Sequence, residues 1–252
     1  MRIKDRKTGI VDFVNKKEKA TVQELAEYCK VSEATIRRDI VSLSREGKLA
    51  RVHGGAVKID DTYSGAEAAV LAKGFVNQKE KLCIAEYAAS LIMPGDYVFI
   101  DAGSTTRYMV PFIKEEKAVY VTNAISLAKD LVRSGMKVFL IGGEIKENSE
   151  VIVGSAAILN VQKYHFDKGF FGTNGVDIKL GYTTSDVREA LIKRVAIENT
   201  LAGERYVLAD HDKFGISSAV TFSEFDGTVL ITDMEPGKNY NKVVEIEVVS
   251  PA

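Results

Sequence analysis

A chain of 252 residues, 46% hydrophobic and 27% charged, has the make-up of a folded globular protein with room for one large domain or two unequal ones. No apolar run follows Met1-Arg2-Ile3-Lys4, no window nears the ~18 apolar residues of a membrane span, and Cys29 and Cys83 stand far apart without metal-ligand spacing. No secretory signal, membrane span or disulfide framework is expected from these features, and the expectation is a cytoplasmic protein whose cysteines are buried small hydrophobes. The formal charge of −1 hides an asymmetry: residues 1–58 hold 14 Lys/Arg against 8 Asp/Glu, and the remainder is acidic. A basic module joined to an acidic one suggests that the first meets a polyanion.

Three helices are expected in the first 47 residues. The first covers about 6–15, with Ile10, Phe13 and Val14 at helical spacing. The second opens at Thr21-Val22-Gln23-Glu24, a capping-box pattern, and runs to Cys29. After Lys30-Val31, Ser32 is an N-cap for a third helix over 33–44 that stops near Gly47. Two helices across so short a break make a helix-turn-helix. On the third helix Ile36, Ile40 and Leu43 share one stripe, which turns Arg38 outward with Thr35 and Arg37 on the flanks. Small and basic residues on that face suit a major groove. Arg38 and then Thr35 are the candidates for base edges, and Arg37, Arg45 and Ser32 for phosphates. Residues 48–57 spell a β-hairpin wing turning at Gly54-Gly55, with Arg51 and His53 placed to touch the DNA backbone or minor groove. Asp39 is expected to pair with an arginine rather than with DNA.

Residues 58–74 read as a linker between a DNA-binding domain (1–57) and an α/β domain (75–252). A helix over 77–93 is expected to bury Leu82, Ala85, Ala89 and Ile92. Strands at 97–100, 119–122, 137–141, 168–172, 206–209 and 228–231 then alternate with helices such as 126–134 and 186–199. That alternation predicts a mostly parallel sheet with helices on both sides, which binds ligands outside the carboxyl ends of its strands. The loops there are small and polar. They contribute Asp101, Gly103, Ser104, Thr105 and Thr106, then Thr122 and Asn123, Gly142 and Gly143, and Gly172 and Asn174. Glycine beside hydroxyls at a helix start favours an anion, most often phosphate. Asp186, Glu189 and Lys193 lie on one side of a later helix, where Glu189 and Lys193 could simply be an exposed ion pair. Lys213 follows a strand end, within reach of a phosphate or a sugar hydroxyl. His165 and His211 read as structural, and Phe170 and Phe171 as core in neighbouring layers. No metal or cofactor is expected.

The stretches 31–40 (Val-Ser-Glu-Ala-Thr-Ile-Arg-Arg-Asp-Ile) and 47–56 (Gly-Lys-Leu-Ala-Arg-Val-His-Gly-Gly-Ala) resemble the signature of the DeoR family of bacterial transcriptional regulators. Ser44 replaces the acidic residue usual after the leucine of that signature. The resemblance continues through Asp101–Thr106, Thr122-Asn123, Gly142-Gly143 and 208–215, motifs similar to those of the family's sensor domain. It implies a fold similar to ribose-5-phosphate isomerase and glucosamine-6-phosphate deaminase, and a phosphorylated-sugar effector with its phosphate near 103–106. Gly181-Tyr182-Thr183-Thr184-Ser185-Asp186, with Glu189 and Lys193, is similar to regulators of phosphotransferase-system sugars such as fructose repressors. The expected protein is a repressor of a sugar-catabolism operon. It would act as a homodimer or homotetramer on double-stranded operator DNA, with no membrane partner. The alternative is a sugar-phosphate isomerase or deaminase carrying a DNA-binding extension.

Overall fold

The computed structural model describes residues 3–45, 48–52, 55–58, 76–146 and 149–249. It divides the chain into two compact units, Met1–Val76 and Asn77–Ala252. Of the expected linker only Lys58 is described.

The first unit contains α1 (Ile3–Lys17), β1 (Lys19–Thr21), α2 (Val22–Cys29), α3 (Glu33–Arg45), β2 (Ala50–Val52) and β3 (Gly55–Val57). The capping box forms: the Glu24 amide donates to Thr21 Oγ1 at 3.1 Å and the Thr21 amide to Glu24 Oε2 at 2.8 Å. Lys30 ends α2 in the left-handed region, at φ 52°. Ile10, Val14, Leu25, Cys29, Ile36, Ile40 and Leu43 meet in one small core. Phe13 is only partly buried, its ring 4.6 Å from that of Tyr28. The wing is a three-stranded sheet ordered β1-β3-β2, to which the strand Lys19–Thr21 adds a partner not foreseen from the sequence. Gly55 does not turn the wing. It pairs with Val52 on one side and Thr21 on the other, and residues 53–54 lie outside those described. A β-carbon on Gly55 would lie 2.1 Å from the Ala20 carbonyl oxygen, so glycine is needed there for close backbone approach.

The second unit is built on seven parallel strands in the order β15-β14-β12-β9-β4-β5-β6. In chain order its elements are α4 (Gln78–Ser90), β4 (Tyr97–Ile100), α5 (Ser104–Arg107), β5 (Val119–Thr122), α6 (Ile125–Arg133) and β6 (Lys137–Leu140). These are followed by β7 (Glu144–Lys146), β8 (Val151–Val153), α7 (Ser155–Val161), β9 (Lys168–Gly172), β10 (Gly175–Asp177) and β11 (Gly181–Thr184). The chain ends with α8 (Val187–Glu198), β12 (Arg205–Leu208), β13 (Val220–Ser223), β14 (Thr228–Thr232) and β15 (Glu245–Val248).

Alternation along each strand sorts side chains to two cores. Val98, Ile100, Tyr120, Phe170, Leu208 and Ile231 pack on one face with α4 and α6. Phe99, Val121, Phe171, Val207 and Leu230 pack on the other with α7 and α8. Phe170 and Phe171 therefore occupy opposite layers. The face that α4 buries consists of Ile84, Ala85, Ala88 and Ala89, and includes Lys81, whereas Leu82 and Cys83 are only half-buried. Ala85, Ala89 and Ile92 are buried as expected, and Leu82 is the departure, the buried face there being taken by Lys81 and Ile84.

Candidate functional site

On α3 the apolar stripe faces inward, with Ile36, Ile40 and Leu43 at 0, 2 and 1% exposure, and Ala34, Arg37 and Arg38 stand in solvent. Arg38 lies back along its helix, its Nε 3.4 Å from the Ala34 carbonyl oxygen. Arg37 is paired with Glu33 at 2.7 Å, an exposed contact of little energetic weight that a phosphate could displace. The Ser32 hydroxyl caps α3, accepting from the Thr35 amide at 3.3 Å and lying 3.0 Å from the Thr35 hydroxyl. Asp39 is turned away from that face: Arg6 of α1 holds it through Nε at 2.6 Å and Nη2 at 3.2 Å. Arg45 ends α3 and Arg51 lies in β2, but their side chains, like the whole of His53, fall outside the described residues.

The sheet order of the second unit reverses between β4 and β9. Chain order advances from β4 to β6 in one direction and from β9 to β15 in the other. Ligands of open parallel sheets bind at such a switch point, outside the carboxyl ends of the strands. Asp101 and Gly172, which follow and end these two strands, meet there. The Gly172 amide donates to Asp101 Oδ2 at 2.8 Å, and Thr106 Oγ1 donates to Asp101 Oδ1 at 2.8 Å. Lys193 reaches in from α8 to ion-pair with Asp101 and donates to the Gly172 carbonyl at 2.9 Å. Asp101, Thr106 and Lys193 are 1, 0 and 8% exposed, so their polar atoms hold the loops together. Gly103 fits because a β-carbon would stand 2.8 Å from Thr106 Oγ1 and 3.1 Å from Asp101 Oδ1. Thr105 is also buried, and Thr122 spends its hydroxyl on the Ala124 amide at 3.1 Å. Asn123 is buried with its Oδ1 unpaired, whereas Ser104 and Asn174 are half-buried and Gly142 and Gly143 exposed.

Two further groups of charge sit at these strand ends. Asp186 caps α8, and Lys146 of β7 bridges Asp186 at 2.8 Å and Glu189 at 2.6 Å. Those contacts hold the Asp186 carboxyl down to about 2 and push the Lys146 ammonium up against its desolvation. Where helical spacing allows an exposed Glu189–Lys193 pair, Glu189 pairs with Lys146 and the buried Lys193 with Asp101. Lys146 was missed because no local pattern links residues 40 apart.

Beyond β12, Asp210 Oδ2 faces Lys81 at 3.8 Å and Lys213 at 4.0 Å. Burial brings the Lys81 ammonium down to about 8, against the pull of Asp210. The side-chain amide of Asn77 donates to Asp210 Oδ1 at 2.9 Å and Asp212 Oδ2 at 2.8 Å. His211 is tied to Asp233 through its backbone amide at 2.8 Å and Nδ1 at 2.6 Å, which raises its pKa. Lys81 carries a signal that could have exposed it: a lysine on the alanine face of a helix is a buried charge and needs a partner. Among the described residues no cluster of His, Cys, Asp or Glu could hold a metal ion, and no helix is long and apolar enough to cross a membrane.

Known proteins match along the whole chain. Residues 6–62 match the DeoR-like helix-turn-helix domain and residues 76–234 the DeoR C terminal sensor domain. The "Uncharacterized HTH-type transcriptional regulator FruR" of Bacillus subtilis (strain 168) is 41% identical over 98% of this chain and 98% of its own length. The "Lactose phosphotransferase system repressor" of Staphylococcus aureus (strain NCTC 8325 / PS 47) is 33% identical over 92% of each chain. Ribose 5 phosphate isomerase A from Neisseria gonorrhoeae superposes with a TM-score of 0.40 at 16% identity over 54% of this chain and 53% of that one, too slight a likeness to weigh in the assignment. Relatives spanning nearly the full length are regulators, which sets the isomerase or deaminase reading aside. With both domain matches on one chain, the protein belongs to the DeoR family of helix-turn-helix transcriptional regulators.

Proposed function

We propose that this chain is a cytoplasmic repressor of a sugar-catabolism operon, released from its operator by a phosphorylated sugar. The DNA half of this reading rests on the outward basic face of α3, with Arg38 at a base edge, Thr35 beside it, and Ser32, Arg37, Arg45, Arg51 and His53 along the backbone. One recognition helix reads only a half-site, so two or four copies would engage half-sites about 34 Å apart or a multiple of that. The names of two relatives, a FruR regulator and a lactose phosphotransferase system repressor, support a sugar operon.

The observation that carries the effector half is the set of small polar loops at the β4/β9 switch point, flanked by Lys81 and Lys213 near Asp210. Two lysines held against Asp210 beyond the end of β12, one from α4 and one from the loop itself, suit an anionic ligand. In this reading Gly103, Ser104 and Thr105 line the phosphate, with Lys213 and Lys81 supplying charge, while Asn123, Gly142, Gly143 and Asn174 meet the sugar. Asp101, Thr106, Thr122, Gly172 and Lys193 hold that frame, and Lys146 with Asp186 and Glu189 forms its outer wall. The effector binds one arrangement of the protein better than the other, and this difference in affinity shifts the population off DNA.

The test has two parts. Thermal melts with hexose monophosphates should rise, because a ligand at 100 times its Kd adds about 2.7 kcal/mol. The same compound should then release the full-length protein from an operator selected out of random duplex DNA. A compound that stabilises without release, or turnover of the compound, would sink the reading.

A further inference from the structure

Asn77 opens the second unit, directly after the segment that leads from the DNA-binding unit. Its backbone is left-handed, at φ 52° and ψ 44°, a region that few residues other than glycine adopt and that asparagine tolerates best. Its side chain does not cap α4. Instead the amide spends both protons on carboxylates 133 and 135 residues away in sequence, Asp210 and Asp212. Its carbonyl accepts from the Lys81 amide at 3.0 Å, so the same residue starts the helical turn that carries Lys81.

Asp210 divides its two oxygens between two tasks. Oδ1 holds Asn77 and also accepts from the Asp212 backbone amide at 3.2 Å, whereas Oδ2 accepts no hydrogen bond among the described residues and faces Lys81 and Lys213 at ion-pair distances longer than a hydrogen bond. The loop bearing Asp210 is fixed from behind by His211 and Asp233, so the carboxylate can turn while its backbone stays in place.

We infer that Asn77 is a positioning residue that couples occupancy of the strand-end site to the segment leading to the DNA-binding unit; this rests on the effector reading above. An anion drawing on Lys81 and Lys213 removes the attraction that orients Asp210 Oδ2. The carboxylate turns, Oδ1 leaves the Asn77 amide, and the left-handed backbone at Asn77 loses what holds it. A change of φ at this one residue redirects the chain that enters the second unit.

The test uses the full chain, a selected operator duplex, and fructose 1-phosphate, fructose 6-phosphate and inorganic phosphate as probes. Asn77→Gly keeps the left-handed backbone and deletes the amide. It should bind the probe with affinity within about twofold of wild type, while the factor by which the probe weakens operator binding falls at least about fivefold, within the usual range of allosteric coupling. Asp212→Ala, at an exposed side chain, should lose part of that factor, and Asp212→Asn, which keeps an accepting oxygen, should retain it. A wild-type release factor in Asn77→Gly, or in Asp212→Ala should the glycine variant not fold, overturns the inference while leaving the effector reading intact. If no probe stabilises or releases the wild-type protein, the effector reading fails and the coupling falls with it.

Discussion

Removing the Asp101 carboxylate separates a structural from a ligand-contacting role at the switch point. The side chain is 2% exposed and its Lys193 partner 10% exposed, so neither charge has water to fall back on. Asp101→Ala strands the Lys193 ammonium and deprives the Gly172 amide and the Thr106 hydroxyl of a charged acceptor. Breaking a buried pair from one side costs about 3–5 kcal/mol. In a unit of this size each kcal/mol moves the midpoint by roughly 2–4 °C, so its melting transition should drop by about 6–20 °C. Lys193→Met should cost less, since the carboxylate keeps two hydrogen bonds. Asp101→Ala with Lys193→Met should be milder than the sum of the two single changes, with a coupling of about 1 kcal/mol or more. Calorimetry of the full-length protein follows the transition. If Asp101→Ala melts within about 2 °C of wild type and only loses effector binding, Asp101 is a ligand contact and the frame described for it is wrong.

Arg38→Ala should weaken specific DNA binding by about 1–3 kcal/mol and relax one base position, checked by selection of operators with each protein. Because the folded Lys81 loses its proton near 8 rather than near 10.5, affinity for a sugar phosphate should fall as pH rises from 7 to 9, and Lys81→Met should flatten that fall; titration calorimetry measures both. His211 is raised above its ordinary 6.5 by Asp233, so its pairing stabilises fully below that value and fades as pH climbs through the raised one; Asp233→Asn should erase this slope in denaturant melts. Thr21→Ala should cost the first unit about 1 kcal/mol through loss of the α2 cap, read from its own melting transition.

Local rules carried far where the chemistry is local. The capping box at Thr21, the stop at Lys30 and the stripe Ile36-Ile40-Leu43 all lie within one or two helical turns. The six expected strands form: five are short apolar runs that the two cores bury, whereas β6, at the edge of the sheet, leaves Phe139 and Leu140 exposed. What stayed hidden depends on partners distant in sequence. Lys19–Thr21 becomes a strand only because β3 lies beside it, and β15, with its alternating glutamates, only by joining the edge of the sheet. The antiparallel β10-β11-β13 group lies on polar sequence that gave no period. The site divided the same way. The strand-end loops were visible as composition, whereas the pairing of Lys193 with Asp101, of Lys146 with Asp186 and Glu189, and of Asn77 with Asp210 joins segments tens of residues apart.

The reversal of strand order also sets when the sensor can come into being. Residues 97–140 form one wing of the sheet from neighbours in sequence, and residues 168–248 form the other. Among the described residues only the β4–β9 pairing joins them within the sheet, across a loop of some seventy residues whose closure is entropically slow. Asp101 and Gly172 stand on opposite sides of that seam, and Lys193 arrives later still. A nascent chain leaving the ribosome therefore completes its DNA-binding unit first and brings Asp101, Gly172 and Lys193 together only near the end of synthesis.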